Sequence, residues 1–242
     1  MKLLDYSIEA FSRNTNLILL FSLPFLAAFV IPIFVAMPTF PAVGGIYLRT
    51  GSIPTMTMFE SGVMVAAFLL SLYLVSLTIV NINIVIKAQR SSVNIKQEVI
   101  KGISTTTFAV FLLYIFYTMA LLVVQLIAYQ LPISVHDIFV SLVGLLISIP
   151  FFFAPAAMVI DEVAIDRSLK VSMAHVLKKP VFFMFWLVVG LVLVSAITWL
   201  SYTALSAPYG SFLSIFLNSL IALPFLIVMQ TQMYLAKYTI LT

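Results

Sequence analysis

MVIDEVAIDRSLKVSMAHVLKKPVFF, residues 158–183, gathers seven of the chain's twenty charged residues into the nineteen positions from Asp161 to Lys179. The sequence on either side is almost purely apolar. A soluble domain carries charge at about a quarter of its positions, whereas this chain of 242 residues is 63% hydrophobic and 8% charged. So little polar surface cannot cover a soluble core; a bilayer is the solvent that fits. The charged stretch then reads as a loop between two membrane spans, and the other spans can be counted outward from it.

A helix needs about 20 apolar residues to cross a hydrocarbon layer about 30 Å thick. Six runs qualify, at about 15–37, 62–86, 105–129, 138–160, 181–205 and 211–236. The gaps QLPISVHD (130–137) and SAPYG (206–210) carry the Pro and Gly of tight turns. The start, MKLLDYSIEAFSRN, is not read as a signal peptide, because Asp5, Glu9 and Arg13 interrupt it before the first apolar run. With the N-terminus inside, the inner side holds Lys2, Arg13, Lys87, Arg90, Lys96, Lys101, Arg167, Lys170, Lys178, Lys179 and Lys237, and the outer side holds Arg49 alone. Eleven against one is a strong positive-inside asymmetry. It predicts a multi-pass protein of the cell (inner, cytoplasmic) membrane with both termini cytoplasmic, and it makes 161–179 the second cytoplasmic loop.

That loop is also periodic. On a helix, Leu169, Ser172, Met173 and Val176 fall on or near the face of Ile165, while Arg167, His175 and Lys178 fall opposite, an amphipathic pattern. Leu4, Ile8, Phe11 and Ser12 repeat the register of Ile165, Leu169, Ser172 and Met173, and so do Ile95, Val99, Gly102 and Ile103. DYSI (5–8) echoes DRSL (166–169), and IPFFF (149–153) echoes LPFLI (223–227). The expected fold is an all-α integral membrane protein: one membrane domain, 1–242, of six transmembrane helices in three helix-plus-hairpin units, about 1–90, 91–164 and 165–242. Each unit opens with a short amphipathic helix lying on the membrane surface. The Pro-bearing IPFFFAPAAMVID (149–161) and the following AIDRSLKVSMAHVLKKP (164–180) resemble a broad group of six-pass prokaryotic membrane proteins. That group includes the membrane domain fused to some glycerophosphodiester phosphodiesterases. The resemblance implies a fold more than a function, and no soluble phosphodiesterase domain is present to carry that activity over.

Several function classes are excluded by what is missing. There is no cysteine, hence no disulfide or thiolate chemistry, and the net charge of +4 is too thin and interrupted for a nucleic-acid face. No HExxH, Walker A or strand–GxSxG–helix pattern occurs, and the two histidines, His136 and His175, fall on opposite sides of the membrane. Asp161, Glu162 and Asp166 stand at a helix start, where acids serve as cap and dipole partners; a divalent-cation site there is the minor alternative. Glu60 lies at the outer end of span two, so no ionisable group of the kind ion-coupled carriers use sits near a span centre. Asn81, Asn83, Gln230 and Gln232 lie near the cytoplasmic ends of spans two and six, where interface exposure explains them as well as bonding between helices does. Prolines 24, 32, 150, 155 and 224 are expected to kink spans rather than to build a cavity.

The outer loop PTFPAVGGIYLRTGSIPTMTMFESGVM (38–64) places Met56 and Met58 in an M-x-M pattern, with Met37 and Met64 nearby. Thioethers are soft ligands suited to Cu(I), although methionine is also a flexible apolar filler. The loop's Pro and Gly content predicts irregular backbone. No cofactor is expected. The leading expectation is a non-enzymatic scaffold or accessory subunit of a membrane assembly, in contact with lipid through Arg167, Lys170, Lys178 and Lys179 at the head groups. Its implied partners are membrane lipids, then other membrane-protein subunits or further copies of the chain, and no nucleic acid. The runner-up is a transporter or permease for an uncharged or lipidic substrate, and a membrane-embedded lipid enzyme comes third.

Overall fold

The structure, a computed structural model, describes residues 2–34, 39–42, 45–48, 57–91, 105–206 and 209–238. Helix α1 (Lys2–Arg13) leads into α2 (Thr15–Phe34). A short antiparallel hairpin follows, β1 (Thr39–Ala42) paired with β2 (Gly45–Leu48) in the register Thr39 to Leu48 and Ala42 to Gly45. Part of the outer loop read as irregular is therefore ordered by ladder bonds. Then come α3 (Met58–Ser91), α4 (Thr106–Ala128), α5 (Ile133–Phe152), α6 (Ala154–Ile160), α7 (Ile165–Lys178) and α8 (Pro180–Ala204). The chain ends with α9 (Tyr209–Leu217), one π-helical segment (Asn218–Ala222) and α10 (Leu223–Leu235).

Six segments are long and apolar enough to cross a membrane: Thr15–Pro32, Met58–Gln89, Thr106–Ala128, Val135–Ile160, Pro180–Ala204 and Tyr209–Leu235. The helix of the second span, α3, is longer than its apolar run. Its 34 residues make about 50 Å at ~1.5 Å per residue, more than the hydrocarbon layer needs. It starts early because Thr57 and Glu60 form a capping box: the Thr57 N–H donates to Glu60 Oε2 at 2.8 Å and the Glu60 N–H donates to Thr57 Oγ1 at 3.3 Å. Glu60, read from the sequence as lying at the end of span two, is a helix cap there.

The prolines divide into two kinds. Pro24, Pro32 and Pro150 sit inside continuous helices. Pro155 follows a break at Phe153 that splits the fourth span into α5 and α6. Pro224 follows the π segment of the sixth span. Proline has no N–H to donate and its ring crowds the carbonyl four residues back; before Pro155 the turn is opened and before Pro224 it is widened.

Three buried apolar clusters hold the spans together. One joins spans four, five and six through Phe153, Ala157, Phe183, Leu226 and Met229. A second joins spans six, one and two through Ile18, Phe25, Ile82, Ile86 and Val228. The third joins spans two, three and four through Val80, Ile84, Leu113, Ala154 and Val159. Each even-numbered span thus serves two clusters and each odd-numbered span one. The short helices close onto even spans: α7 packs on the fourth, while α1 packs on the sixth, where Phe11 meets Phe225 edge-on at 5.9 Å. Lys87, Lys178, Lys179 and Lys237 all lie at this end of the bundle, called the basic end below.

Candidate functional site

The break in the fourth span is built rather than frayed. In an unbroken helix the Phe153 N–H would donate to the Ile149 carbonyl. Here the Ser172 hydroxyl of α7 stands between them, accepting from Phe153 N at 2.8 Å and donating to Ile149 O at 3.2 Å. Three residues on, Phe152 O accepts from Gln230 Nε2 of α10. Backbone groups freed in an apolar setting cost several kcal/mol each if unpaired, and side chains from two other elements satisfy these. Rings seal the joint. Phe152 meets Phe183 at 4.9 Å and Trp186 at 5.0 Å, both edge-on, and the Trp186 indole donates to Leu226 O at 2.8 Å. Phe153 meets the His175 ring perpendicularly at 4.8 Å.

Two carboxylates leave the end of α6 in opposite directions. Asp161 accepts from Tyr234 Oη at 2.6 Å, Lys237 Nζ at 2.7 Å and Tyr238 Oη at 2.6 Å, so it ties the fourth span to the sixth. Lys237 also stacks over the Tyr234 ring, 3.7 Å from its centroid. Glu162 pairs with Lys87 at 2.8 Å and ties the fourth span to the second. It does so from a left-handed backbone, φ 53°, a conformation that costs a non-glycine residue ~1–2 kcal/mol. Burial pushes the Asp161 pKa up, but the bonds from Lys237, Tyr234 and Tyr238, with the Lys237 charge, outweigh it and hold the carboxyl below its usual range. Burial and the same carboxylate push the Tyr238 phenol up to about 12. Beside Glu162 lies a cavity of about 390 Å³, bounded by Ile84, Lys87, Thr106, Ala109, Met158 and Val159.

Further from the basic end, one polar pair joins spans two and six across their interface. Thr231 Oγ1 lies 2.7 Å from Asn83 Oδ1, both fully buried. Asn81, Asn83 and Gln232 are buried rather than at an exposed interface, and with Gln230 at the joint the interface explanation is corrected. Asp161 and Glu162 are likewise corrected from helix caps to inter-span ties; the residue capping α7 is Ala164, with no side-chain cap bond.

The largest correction concerns His175. Periodicity puts it with Arg167 and Lys178 on the polar face, yet it is 8% exposed, between the Phe153 and Tyr234 rings. The buried face of α7 is Ser168, Ser172, His175 and Val176, rotated from the Ile165–Leu169–Met173 stripe. Ile165 and Leu169 still pack against the protein, on the cluster of spans two to four, but Met173 is exposed. Ser172 and Val176 of the expected face are buried; Ser168 and His175 join them, and Met173 is the residue turned out.

Arg167, Lys170, Lys178 and Lys179 are all exposed along α7 and at its end, beside the joint but outside it. Lys179 Nζ lies 5.2 Å from the Phe182 ring centroid. Met58 is 96% exposed at the start of α3, while Met37 and Met56 fall outside the described residues, as do the helix expected at 95–103 and the basic residues Arg49, Lys96 and Lys101. His136 and Asp137, 2.9 Å apart, sit at the opposite end. The sequence reading missed Lys87, Ser172, Tyr234, Lys237 and Tyr238 as functional groups. A signal was present: Lys87, Glu162 and Lys237 are spaced 75 and again 75 residues apart. No protein-family model, curated protein or solved structure matches the chain.

Proposed function

We propose that the chain is a non-enzymatic integral membrane protein, a scaffold or accessory subunit of a membrane assembly that contacts lipid. The observation that carries this is a contrast of surfaces. Inside, spans two, four and six are bound to one another by paired polar groups. Outside, only 17% of the residues in the most apolar stretches of spans three and five are buried, with residues such as Leu126, Val188 and Leu191 presented outward. Among the described residues no Asp, Glu, Lys, Arg or His lies near the centre of a span. Such faces suit lipid or the spans of another subunit. The partners proposed are therefore membrane lipids first, and then another membrane subunit or a second copy.

The proposed arrangement is three helix-plus-hairpin units closed into a ring. The cyclic sharing of the apolar clusters and the 75-residue spacing of Lys87, Glu162 and Lys237 support it. So do Ser7 in α1 and Ser168 in α7, matched in DYSI and DRSL and both fully buried. α1 and α7 are taken as the amphipathic surface helices, with Arg167, Lys170, Lys178 and Lys179 among anionic head groups of the inner leaflet. The Lys and Arg asymmetry puts the basic end and both termini in the cytoplasm. Kinship with the group containing the glycerophosphodiester phosphodiesterase membrane domains is proposed on 149–161 and 164–180 alone.

A transporter for an uncharged or lipidic substrate is the second reading, favoured by the broken fourth span and the π segment in the sixth. Purification of the tagged chain from its native membrane under mild solubilisation separates the two. A membrane protein recovered in fixed stoichiometry supports the scaffold. A chain that purifies alone, and moves solute or lipid when reconstituted, overturns it in favour of the transporter.

A further inference from the structure

His175 is used by nothing described so far. It lies on the docked face of α7, one turn beyond the Ser172 that bridges the joint. Its ring is wedged between Phe153 of the joint and Tyr234 of the sixth span, with centroids 4.8 and 5.8 Å away. Its Nε2 is buried without a hydrogen-bond partner. An imidazole among rings is well housed while neutral and poorly housed once charged.

We propose that His175 makes the docking of α7 on the fourth-span joint pH-sensitive, with the helix docked while the imidazole is neutral and released when it is protonated. The surrounding charges are arranged for this. Lys178 of α7 itself, Lys179 just after it and Lys237 beside the sixth span are the charges acting on the ring, and all are cations. The sixth span otherwise presents the Tyr234 ring, whose hydroxyl is bonded to Asp161. That carboxylate, the acid at the end of α6, is already shared among Tyr234, Lys237 and Tyr238. The joint and the fifth span present Phe153 and Phe183, which do not titrate. Leu3 and Leu4 of α1 border the same cluster, but the acids of that helix, Asp5 and Glu9, are exposed.

Burial, then the Lys179 and Lys237 charges, hold the His175 pKa below its ordinary value; a hydrogen bond to the Met233 backbone works the other way, and Lys178 adds to the lowering. The sign follows. A released α7 has a solvated imidazole that titrates near ~6.5, while the docked one takes up its proton only at lower pH. The released state therefore binds more protons as pH falls. Docking is fully supported above about pH 6.5 and weakens by up to about tenfold per pH unit below it, until the depressed docked value is reached. On release Ser172 leaves Phe153 N and Ile149 O, and the fourth span loses the bridge that holds its bend.

The test uses the full chain in lipid nanodiscs. The chain has no cysteine, so a single thiol reports cleanly. Ser168→Cys lies on the docked face, fully buried, and Ala174→Cys, exposed on the same helix, is the reference that cancels thiol ionisation. The expected result is a ratio of modification rates, 168 over 174, that climbs at least fivefold between pH 7.5 and 5, and that stays flat in His175→Gln and His175→Phe. The ring resonances of His175, told from those of His136 by a His136→Asn variant, should titrate below pH 6.5. A flat ratio in the protein with its histidine, an equal climb in both variants, or an unshifted ring titration overturns the proposal. If neither variant folds, the first and third readouts still decide it.

Discussion

Replacing Asp161 by Asn removes the charge on which Tyr234, Lys237 and Tyr238 converge. A hydrogen bond to a charged group contributes ~1.5–3 kcal/mol, and stripping the partner from a fully buried ion costs ~3–5 kcal/mol. The side chains here are 17% exposed at Asp161 and 22% at Lys237, so water takes over part of the lost solvation. The amide oxygen of Asn can still accept from one phenol. A loss of ~2–3 kcal/mol is therefore expected. The matched control is Glu162→Gln, one residue on, where the carboxylate is 56% exposed and the loss should stay below ~1 kcal/mol. Equilibrium unfolding in mixed detergent, followed by circular dichroism, measures both. If Asp161→Asn lies within ~0.5 kcal/mol of the parent, or Glu162→Gln costs as much, the claim that Asp161 ties spans four and six is wrong.

Other consequences are open to the same assay. Because its pKa is depressed in the folded chain, Asp161 contributes stability that is complete above its unfolded value of ~3.9 and lost as pH falls from there through the folded value; Asp161→Asn should flatten the acid limb. Ser172→Ala should cost ~1–3 kcal/mol and speed hydrogen exchange at the Phe153 amide; unchanged exchange would mean that the break does not need the bridge. Thr231→Val, which removes the hydroxyl 2.7 Å from Asn83 Oδ1, should cost ~0.6–2 kcal/mol. Gly210→Ala would set a methyl 2.8 Å from the Leu205 carbonyl, so the turn into α9 must shift and the variant should unfold at lower detergent than the parent.

The spans were legible because hydrocarbon thickness fixes their length and composition, which is a local property. The break at Phe153 was only half legible. Five prolines stood in or near spans, and nothing local told Pro155 from Pro24; the difference is a serine nineteen residues after the break, which supplies the missing partner. His175 was misplaced for a related reason. Periodicity grouped Leu169, Ser172, Met173 and Val176 with Ile165; Ser172 and Val176 are buried as that implies, but the buried face also takes in Ser168 and His175 and leaves Met173 out. Asp161 looked like a cap because its partners, Tyr234 and Lys237, lie more than seventy residues away. Such pairings follow from how the spans are arranged in space, and the only trace they left in the sequence was the repeated spacing of Lys87, Glu162 and Lys237.

The orientation of the basic end carries the most weight, since the proposed lipid contacts, surface helices and terminus positions all follow from it. Single cysteines at Ala174 on α7 and at Ser206 at the opposite end, both exposed, test it in sealed right-side-out cells with an impermeant thiol reagent. The account predicts that Ser206→Cys reacts from outside and that Ala174→Cys reacts only after the membrane is opened. Reaction of Ala174→Cys in intact cells, with Ser206→Cys protected, would contradict it.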